Sequence, residues 1–206
     1  MNEPLDLGAV RALGVDLDLT LLDTRAATAH ALREVNVALG AAIDIDEFLA
    51  RLGPPIRDEL ARWISPERID DAVIAFRSTF VSTGLAHLSL LPGAADLAAE
   101  LRSRAGRLVV ITSRMPAIAS ACLSTVGMSA DVIVGGVTGV EKAAAMREHR
   151  VDVYIGDHRL DMEGAVAAGV PGIGVTTGSH DAYRLRAAGA AWVVSGLAEI
   201  VVAMRS

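Results

Sequence analysis

The 206-residue sequence has few aromatic residues, a net negative charge and no long hydrophobic run. Aromatic side chains make up 3% of the chain, which leaves little material for stacking the bases of single-stranded nucleic acid. The net charge of −6 likewise disfavours nucleic acid and anionic membranes as partners. No apolar stretch reaches the roughly 20 residues needed to span a bilayer, and the start MNEPLDLGAV lacks the pattern of a signal peptide. We therefore expect a cytoplasmic protein, and the sequence leaves open whether it is a monomer or a homodimer.

Cysteine and lysine each occur only once. Cys122 has no partner for an internal disulfide, and its place in the helical pattern AIASACL predicts a buried structural side chain. Of the 19 basic residues 18 are arginine, and Lys142 is the only lysine. Lysine offers a compact, flexible point charge that arginine does not. Because it is the only lysine, Lys142 is the basic residue that we compare first with motifs of functional sites.

Apolar residues make up 52% of the chain, which is enough for a sizeable core. Residues 10–17 predict a short buried strand that ends in carboxylates. Helical periodicity then extends from about Thr24 to Leu90, with glycine stops at Gly40 and Gly84 and no strand inside it. This segment predicts a bundle of about four helices.

Strands and helices alternate over the rest of the chain. The predicted strands are RLVVITS, ADVIVGG, VDVYIGD, GIGVTT and AAWVVS, with helical segments between them. Such alternation predicts a parallel sheet with helices on both faces. The expected fold is therefore α/β, with a Rossmann-like parallel sheet and an α-helical cap inserted after the first strand. The core domain would comprise residues 1–23 and 91–206, and the cap domain residues 24–90.

Several polar side chains lie at or just after the predicted strands, or begin the helices beside them. Right-handed crossovers bring the carboxyl ends of parallel strands to one edge of a sheet, where ligands bind. We expect these side chains to meet there. They are Asp16, Asp18, Thr112, Ser113, Lys142, Asp157 and Asp161.

Carboxylates that converge without counter-ions repel one another. A hard divalent cation such as Mg²⁺ removes that repulsion, because it takes oxygen ligands and tolerates a bound phosphate. Lys142 and the hydroxyl of Thr112 would supply positive charge and a donor for further phosphate oxygens. Such a site suits phosphoryl transfer. Taken alone, Asp16 and Asp18 could equally cap a helix or form a turn.

The order of these features resembles that of the haloacid dehalogenase-like hydrolase superfamily over nearly the whole chain. The segments that carry the resemblance are DLDLT, VVITS, the lone lysine and GDHRLD, in this order. The helical insert resembles the type-1 cap of that superfamily. The segments GPPIRDEL and LLPGAADLAAELRSRAG resemble its phosphoglycolate phosphatase-like branch.

The resemblance implies catalytic roles for four residues and substrate binding by a fifth. Asp16 would be the nucleophile that becomes an aspartyl-phosphate. Asp18 would protonate the leaving oxygen and then deprotonate the attacking water. Thr112 and Lys142 would hold the phosphoryl group that is transferred, and Ser113 would bind the substrate.

The resemblance also implies a Mg²⁺ site and one contact from the cap. Asp16, the backbone carbonyl of Asp18, and Asp157 would bind the cation, with Asp161 as a further ligand or as a partner of the ligands. Arg57 in the cap would contact the substrate. The implied function is a Mg²⁺-dependent phosphatase that hydrolyses a small, phosphoglycolate-like phosphorylated metabolite.

The sequence departs from the family pattern at three points. Leu19 stands where glycine is usual, which requires the backbone there to avoid positive φ. Ser113 and Arg114 replace the common pair of asparagine or serine followed by lysine. Lys142 is not followed by the proline common in this branch. None of these changes removes a catalytic group.

Alternative functions are left open by the sequence. A sugar phosphomutase would share every core motif, and a non-catalytic phosphoacceptor or binding protein would share most of them. His158 has no second histidine at ligand spacing, so a surface or pocket-rim position is favoured over a transition-metal site.

Overall fold

The computed structural model describes residues 5–206. A six-stranded parallel sheet forms the centre of the molecule, as the sequence predicts. Eight strands lie among the described residues, and all except β2 and β3 belong to this sheet. They are β1 (Ala12–Val15), β2 (Leu22–Asp23), β3 (Ser89–Leu90), β4 (Arg107–Thr112), β5 (Val132–Gly135), β6 (Val153–Gly156), β7 (Gly172–Val175) and β8 (Trp192–Val194). The order across the sheet is β5-β4-β1-β6-β7-β8, so β1 lies between β4 and β6.

Ten α-helices are present among the described residues, α1–α4 before β3 and the others alternating with the later strands. They are α1 (Arg25–Leu39), α2 (Ile45–Leu49), α3 (Ile56–Leu60), α4 (Ile69–Ser82), α5 (Ala94–Ser103), α6 (Pro116–Thr125), α7 (Lys142–Glu148), α8 (Arg159–Ala168), α9 (Ala182–Ala187) and α10 (Leu197–Met204). Helix α6 buries Cys122, as predicted. None of the helices within residues 5–206 is long and apolar enough to cross a membrane.

The central strands are apolar on both faces because helices cover both faces of the sheet. Side chains alternate along β4: Val110 packs into one cluster of buried residues, and Val109 and Ile111 pack into the other. The same alternation in β6 sends Ile155 to the first cluster and Tyr154 to the second. The two faces therefore have separate cores on either side of one sheet.

The helices α1–α4 are inserted between β2 and β3, two short strands that the sequence did not predict. These strands pair antiparallel, Leu22 with Leu90 and Asp23 with Ser89, so the two ends of the insert lie side by side. Within the insert α1 packs against α4. Leu32 of α1 and Phe76 of α4 belong to the same cluster as the first face of the sheet, so the core is continuous between insert and sheet.

The prediction for the backbone of Leu19 is wrong. Its φ is +56°, in the left-handed region. The amide of Leu19 donates to the carbonyl of Leu22 at 2.8 Å, and the amides of Leu21 and Leu22 donate to the carbonyl of Leu17 at 3.0 Å. Leu19 is 1% exposed. Burying a leucine gains about 1.5–3 kcal/mol, which offsets the cost of about 1–2 kcal/mol for a left-handed residue.

Candidate active site

The three adjacent strands β4, β1 and β6 end in polar residues at one edge of the sheet. Asp16 follows β1, Thr112 ends β4, and Asp157 follows β6. A cavity opens between this edge and the inserted helices. Six of the predicted site residues line it: Asp16, Asp18, Ser113, Lys142, Asp157 and Asp161.

Two predicted site residues do not line the cavity. Thr112 is fully buried, and its hydroxyl accepts a hydrogen bond from the amide of Arg114 at 3.2 Å. Arg57 is 51% exposed and pairs with Asp70 on α4. The structure therefore does not bring Arg57 to the cavity, although its neighbour Ile56 does line it.

Lys142 is buried, and its ammonium contacts three oxygens. Its Nζ lies 2.7 Å from Oδ1 of Asp16, 2.6 Å from Oδ1 of Asp161, and 3.0 Å from the hydroxyl of Tyr154. An ammonium has three N–H donors, so each oxygen can receive one. The sequence did not single out Tyr154, although a phenol in a buried strand needs a hydrogen-bond partner.

These contacts shift the protonation equilibria of the buried groups. Burial opposes the charge of Lys142, yet the carboxylates of Asp16 and Asp161 hold its pKa well above the ordinary value. Burial raises the pKa of Asp16 to about 7, and the charge of Lys142 acts in the opposite direction. The lone lysine is therefore a fixed positive charge beside Asp16.

Asp157 is 2% exposed and only partly satisfied by hydrogen bonds. The hydroxyl of Thr20 donates to its Oδ1 at 3.1 Å, but Oδ2 has no partner among the described residues. Burial raises the pKa of Asp157 well above its usual range, and the charges of Asp161 and Asp16 raise it further. A buried carboxylate oxygen without a donor is stabilised by a proton or by a bound cation.

Asp16, Asp157 and Asp161 form the one group of potential metal-binding side chains found in the described part of the chain. One carboxylate oxygen from each lies within 4.8 Å of the others. Three carboxylates facing one ammonium leave two negative charges uncompensated, which a divalent cation would neutralise. A β-carbon at Gly178 would overlap Oδ2 of Asp157, so the space beside this oxygen depends on glycine. The residues present therefore fit a hard divalent cation.

Asp161 accepts more hydrogen bonds than either of the other two carboxylates. Its Oδ1 accepts from Lys142, and its Oδ2 accepts from the amide of His158 at 3.1 Å. It thereby ties the start of α8 to the lysine. His158 lies at the cavity wall, 8% exposed, with its ring centroid 4.0 Å from that of His180.

Asp18 is turned toward Arg114. The Arg114 Nε lies 2.9 Å from Oδ1 and 2.8 Å from Oδ2 of Asp18, and Nη2 lies 2.6 Å from Oδ1. From the sequence alone, Arg114 was identified only as a departure from the family pattern. Its pairing with Asp18 spans 96 positions, and no local spacing signals it.

The chain belongs to the haloacid dehalogenase-like hydrolase family, whose family model matches residues 15–175. The matched range contains every residue of the cavity edge described above. Proteins of this family generally use a metal ion, and the Asp16, Asp157 and Asp161 cluster could hold one.

Curated relatives of the chain include a kinase and phosphatases. Tyrosine-protein kinase PtkA of Mycobacterium tuberculosis is 29% identical over 169 residues, which cover 75% of this chain and 58% of PtkA. This chain thus spans little more than half the length of PtkA. The "Probable phosphatase IndB" of Dickeya dadantii is 28% identical over 211 residues, covering 90% of each chain. Phosphoglycolate phosphatase of Synechococcus elongatus is 29% identical over 127 residues, covering 57% of this chain and 60% of that enzyme.

Solved structures show the same fold. The haloacid dehalogenase-like family protein SP0104 from Streptococcus pneumoniae superposes with a TM-score of 0.81 at 24% identity. The match covers 94% of this chain and 97% of that protein. The sheet with its helical insert is therefore a fold that solved members of this family share.

Proposed function

We propose that this protein is a Mg²⁺-dependent phosphatase that hydrolyses a small phosphorylated metabolite through an aspartyl-phosphate. The observation that carries the proposal is the contact of Asp16 with Lys142, 2.7 Å apart, beside a buried Asp157 oxygen that lacks a donor. A nucleophilic carboxylate, a fixed ammonium and a cation site are what phosphoryl transfer requires.

In the first half-reaction a carboxylate oxygen of Asp16 attacks phosphorus, and the bond from phosphorus to the leaving oxygen breaks. Asp18 gives its proton to that oxygen. In the second half-reaction water attacks the aspartyl-phosphate, Asp18 takes the proton from water, and inorganic phosphate and free Asp16 are formed. Lys142 and Ser113 hold the phosphoryl oxygens through positive charge and a hydroxyl donor. The buried Thr112 positions the loop that carries Ser113, because its hydroxyl accepts from the amide of Arg114.

Asp16, the carbonyl of Asp18, and Asp157 would hold Mg²⁺, with Asp161 acting as a ligand or as the partner that fixes Lys142. When bound, the cation supplies charge neutralisation between Asp16 and a phosphate dianion.

We also assign the cap domain to residues 24–90 and the core domain to residues 1–23 and 91–206. The cap contributes the cavity wall opposite the sheet edge through residues such as Phe48 and Phe76.

The name of one curated relative, phosphoglycolate phosphatase, supports a small anionic phosphoester as substrate. The cavity is also lined by side chains of both signs, which suits a compact charged ligand. The kinase name of another relative is consistent with phosphoryl transfer as the shared chemistry.

The test is phosphate release from p-nitrophenyl phosphate and from a panel of phosphometabolites, with Mg²⁺ and with EDTA. We expect Mg²⁺-dependent turnover that Asp16→Asn abolishes and that Asp71→Asn, on the exposed side of α4, leaves intact. Transfer of phosphate between sugar positions without release would indicate a phosphomutase. Absence of turnover on the whole panel would contradict an enzyme of this class.

A further inference from the structure

The ion pair of Asp18 with Arg114 is more than a surface contact. The side chains are 17% and 14% exposed, so the pair lies mostly out of water. Both carboxylate oxygens of Asp18 accept from the guanidinium. Charge-assisted bidentate pairs of this kind are among the strongest hydrogen-bonded contacts in proteins.

The inserted helices fix the guanidinium from the other side. The central carbon of the Arg114 guanidinium lies 4.0 Å from the centroid of the Phe80 ring. Phe80 belongs to α4 and is fully buried. The cation–π contact orients the plane of the guanidinium, so Arg114 is held between the insert and Asp18.

This arrangement conflicts with proton transfer by Asp18. Both oxygens of Asp18 are turned to the guanidinium, so the ion pair competes with the approach of Asp18 to a leaving group. Withdrawing Asp18 alone would leave the Arg114 charge in a poorly solvated place without a counter-charge, which is strongly unfavourable. A second anion at Arg114 therefore favours the productive complex.

On the basis of the proposed phosphatase function, we propose that Arg114 is the receptor for a second anionic group of the substrate, a carboxylate or a second phosphate. That group binds the guanidinium in place of Asp18 and so frees Asp18 for proton transfer. The planar fork of arginine matches the two oxygens of either anion. The same cavity contains Arg114, Lys142 and Asp16, so one compact ligand can place its ester phosphate at Lys142 and its second anion at Arg114.

The consequence is selection by charge. A phosphoester without a second anion enters the cavity but leaves Asp18 paired with Arg114, so it is bound more weakly and turned over more slowly. A substrate with the second anion exchanges one ion pair for another and keeps the guanidinium neutralised throughout.

The test is calorimetric binding to the Asp16→Asn protein with Mg²⁺, which separates binding from turnover. Two matched pairs of ligands differ only in the second anion: 2-phosphoglycolate against 2-hydroxyethyl phosphate, and 1,3-propanediol bisphosphate against 3-hydroxypropyl phosphate. We expect the doubly anionic member of at least one pair to bind about tenfold more tightly. Adding Arg114→Gln should remove that preference, and Arg114→Lys should keep part of it.

Arg77 of α4 also lines the cavity and provides the matched control. Arg77→Gln in the same background should retain the preference. Equal binding within both pairs, or a preference lost with Arg77 instead of Arg114, would overturn the proposal.

Turnover separates this proposal from the proposed function. In the otherwise intact enzyme, Arg114→Gln should reduce the ratio of kcat/KM for the doubly anionic ester to that for its singly anionic match, in whichever pair shows the binding preference. A protein that binds with the expected preference but hydrolyses nothing contradicts the proposed phosphatase function and supports the assignment of Arg114 as the anion receptor. A protein that hydrolyses the two members of each ligand pair with equal kcat/KM supports the phosphatase and contradicts the Arg114 receptor.

Discussion

The phenolic oxygen of Tyr154 lies 3.0 Å from the ammonium of Lys142 and donates to the carbonyl of Ile111 at 2.9 Å. Ile111 directly precedes Thr112 at the end of β4. Through this hydroxyl, β4, β6 and the start of α7 meet at one point. Tyr154 therefore orients the lysine that contacts Asp16.

Tyr154→Phe should reduce kcat by about tenfold with little change in KM, because Lys142 loses the acceptor that orients it while the cavity keeps its shape. Steady-state kinetics with p-nitrophenyl phosphate measure kcat and KM separately. Val109→Ala, in the same buried cluster, provides the control for a loss of packing. It should lower the melting temperature and leave kcat unchanged; an equal fall in kcat would show that Tyr154 acts only through packing.

Mg²⁺ should stabilise the fold by binding beside Asp157. The expected gain is about 2.7 kcal/mol when Mg²⁺ is present at 100 times its Kd. Asp157→Asn should abolish the gain because it removes a ligand charge, and Gly178→Ala should reduce it because a methyl group would occupy the space at Oδ2. Thermal unfolding with Mg²⁺ and with EDTA measures both.

The control for this experiment is Asp71→Asn, which removes an exposed carboxylate of α4. Its stabilisation by Mg²⁺ should equal that of the unaltered protein. Stabilisation that survives in Asp157→Asn would show that the cation binds elsewhere.

Leu19→Gly should destabilise the protein by about 2 kcal/mol, although it removes a left-handed leucine. Relief of the strain is worth about 1–2 kcal/mol, whereas emptying a buried leucine site costs about 3–5 kcal/mol. Urea unfolding measures the difference. Arg150 also has positive φ, at 51°, but is exposed, so Arg150→Gly should not lower the free energy of unfolding. A more stable Leu19→Gly protein would mean that strain outweighs burial.

Acid should weaken the fold through His158. Burial, together with the neighbouring charge of His180, lowers the pKa of His158 to about 4. Between about pH 6.5 and 4 the unfolded chain therefore binds a proton that the folded protein does not. The contribution of His158 is complete above pH 6.5 and declines as the pH falls, by up to about 3 kcal/mol.

The measurement is the free energy of urea unfolding at several pH values from 7.5 to 4.5. His158→Gln should flatten the decline, since glutamine takes up no proton in either state. His149→Gln removes a histidine that does not line the cavity and should leave the slope as it is. Identical slopes in all three proteins would assign the acid sensitivity to other groups.

The sequence by itself determined the parallel sheet, the helical insert and the set of polar residues that end the strands. Those features depend on local periodicity and on the fixed direction of right-handed crossovers, both of which can be read along the chain. The lone Lys142 was selected in the same way, from composition and its place before a strand. The sequence placed Asp16 and Asp157 at one edge of the sheet, and the structure showed that their strands β1 and β6 are neighbours.

Only the tertiary structure decided which partner each polar group takes. Arg114 pairs with Asp18 and Arg57 pairs with Asp70, and neither pairing follows from residue type or spacing. Leu19 adopts positive φ because its side chain is buried under the loop, a gain that exists only once the core has formed. Hydrogen bonds and ion pairs form between groups brought together by packing, so chain order can place them at one edge but cannot pair them.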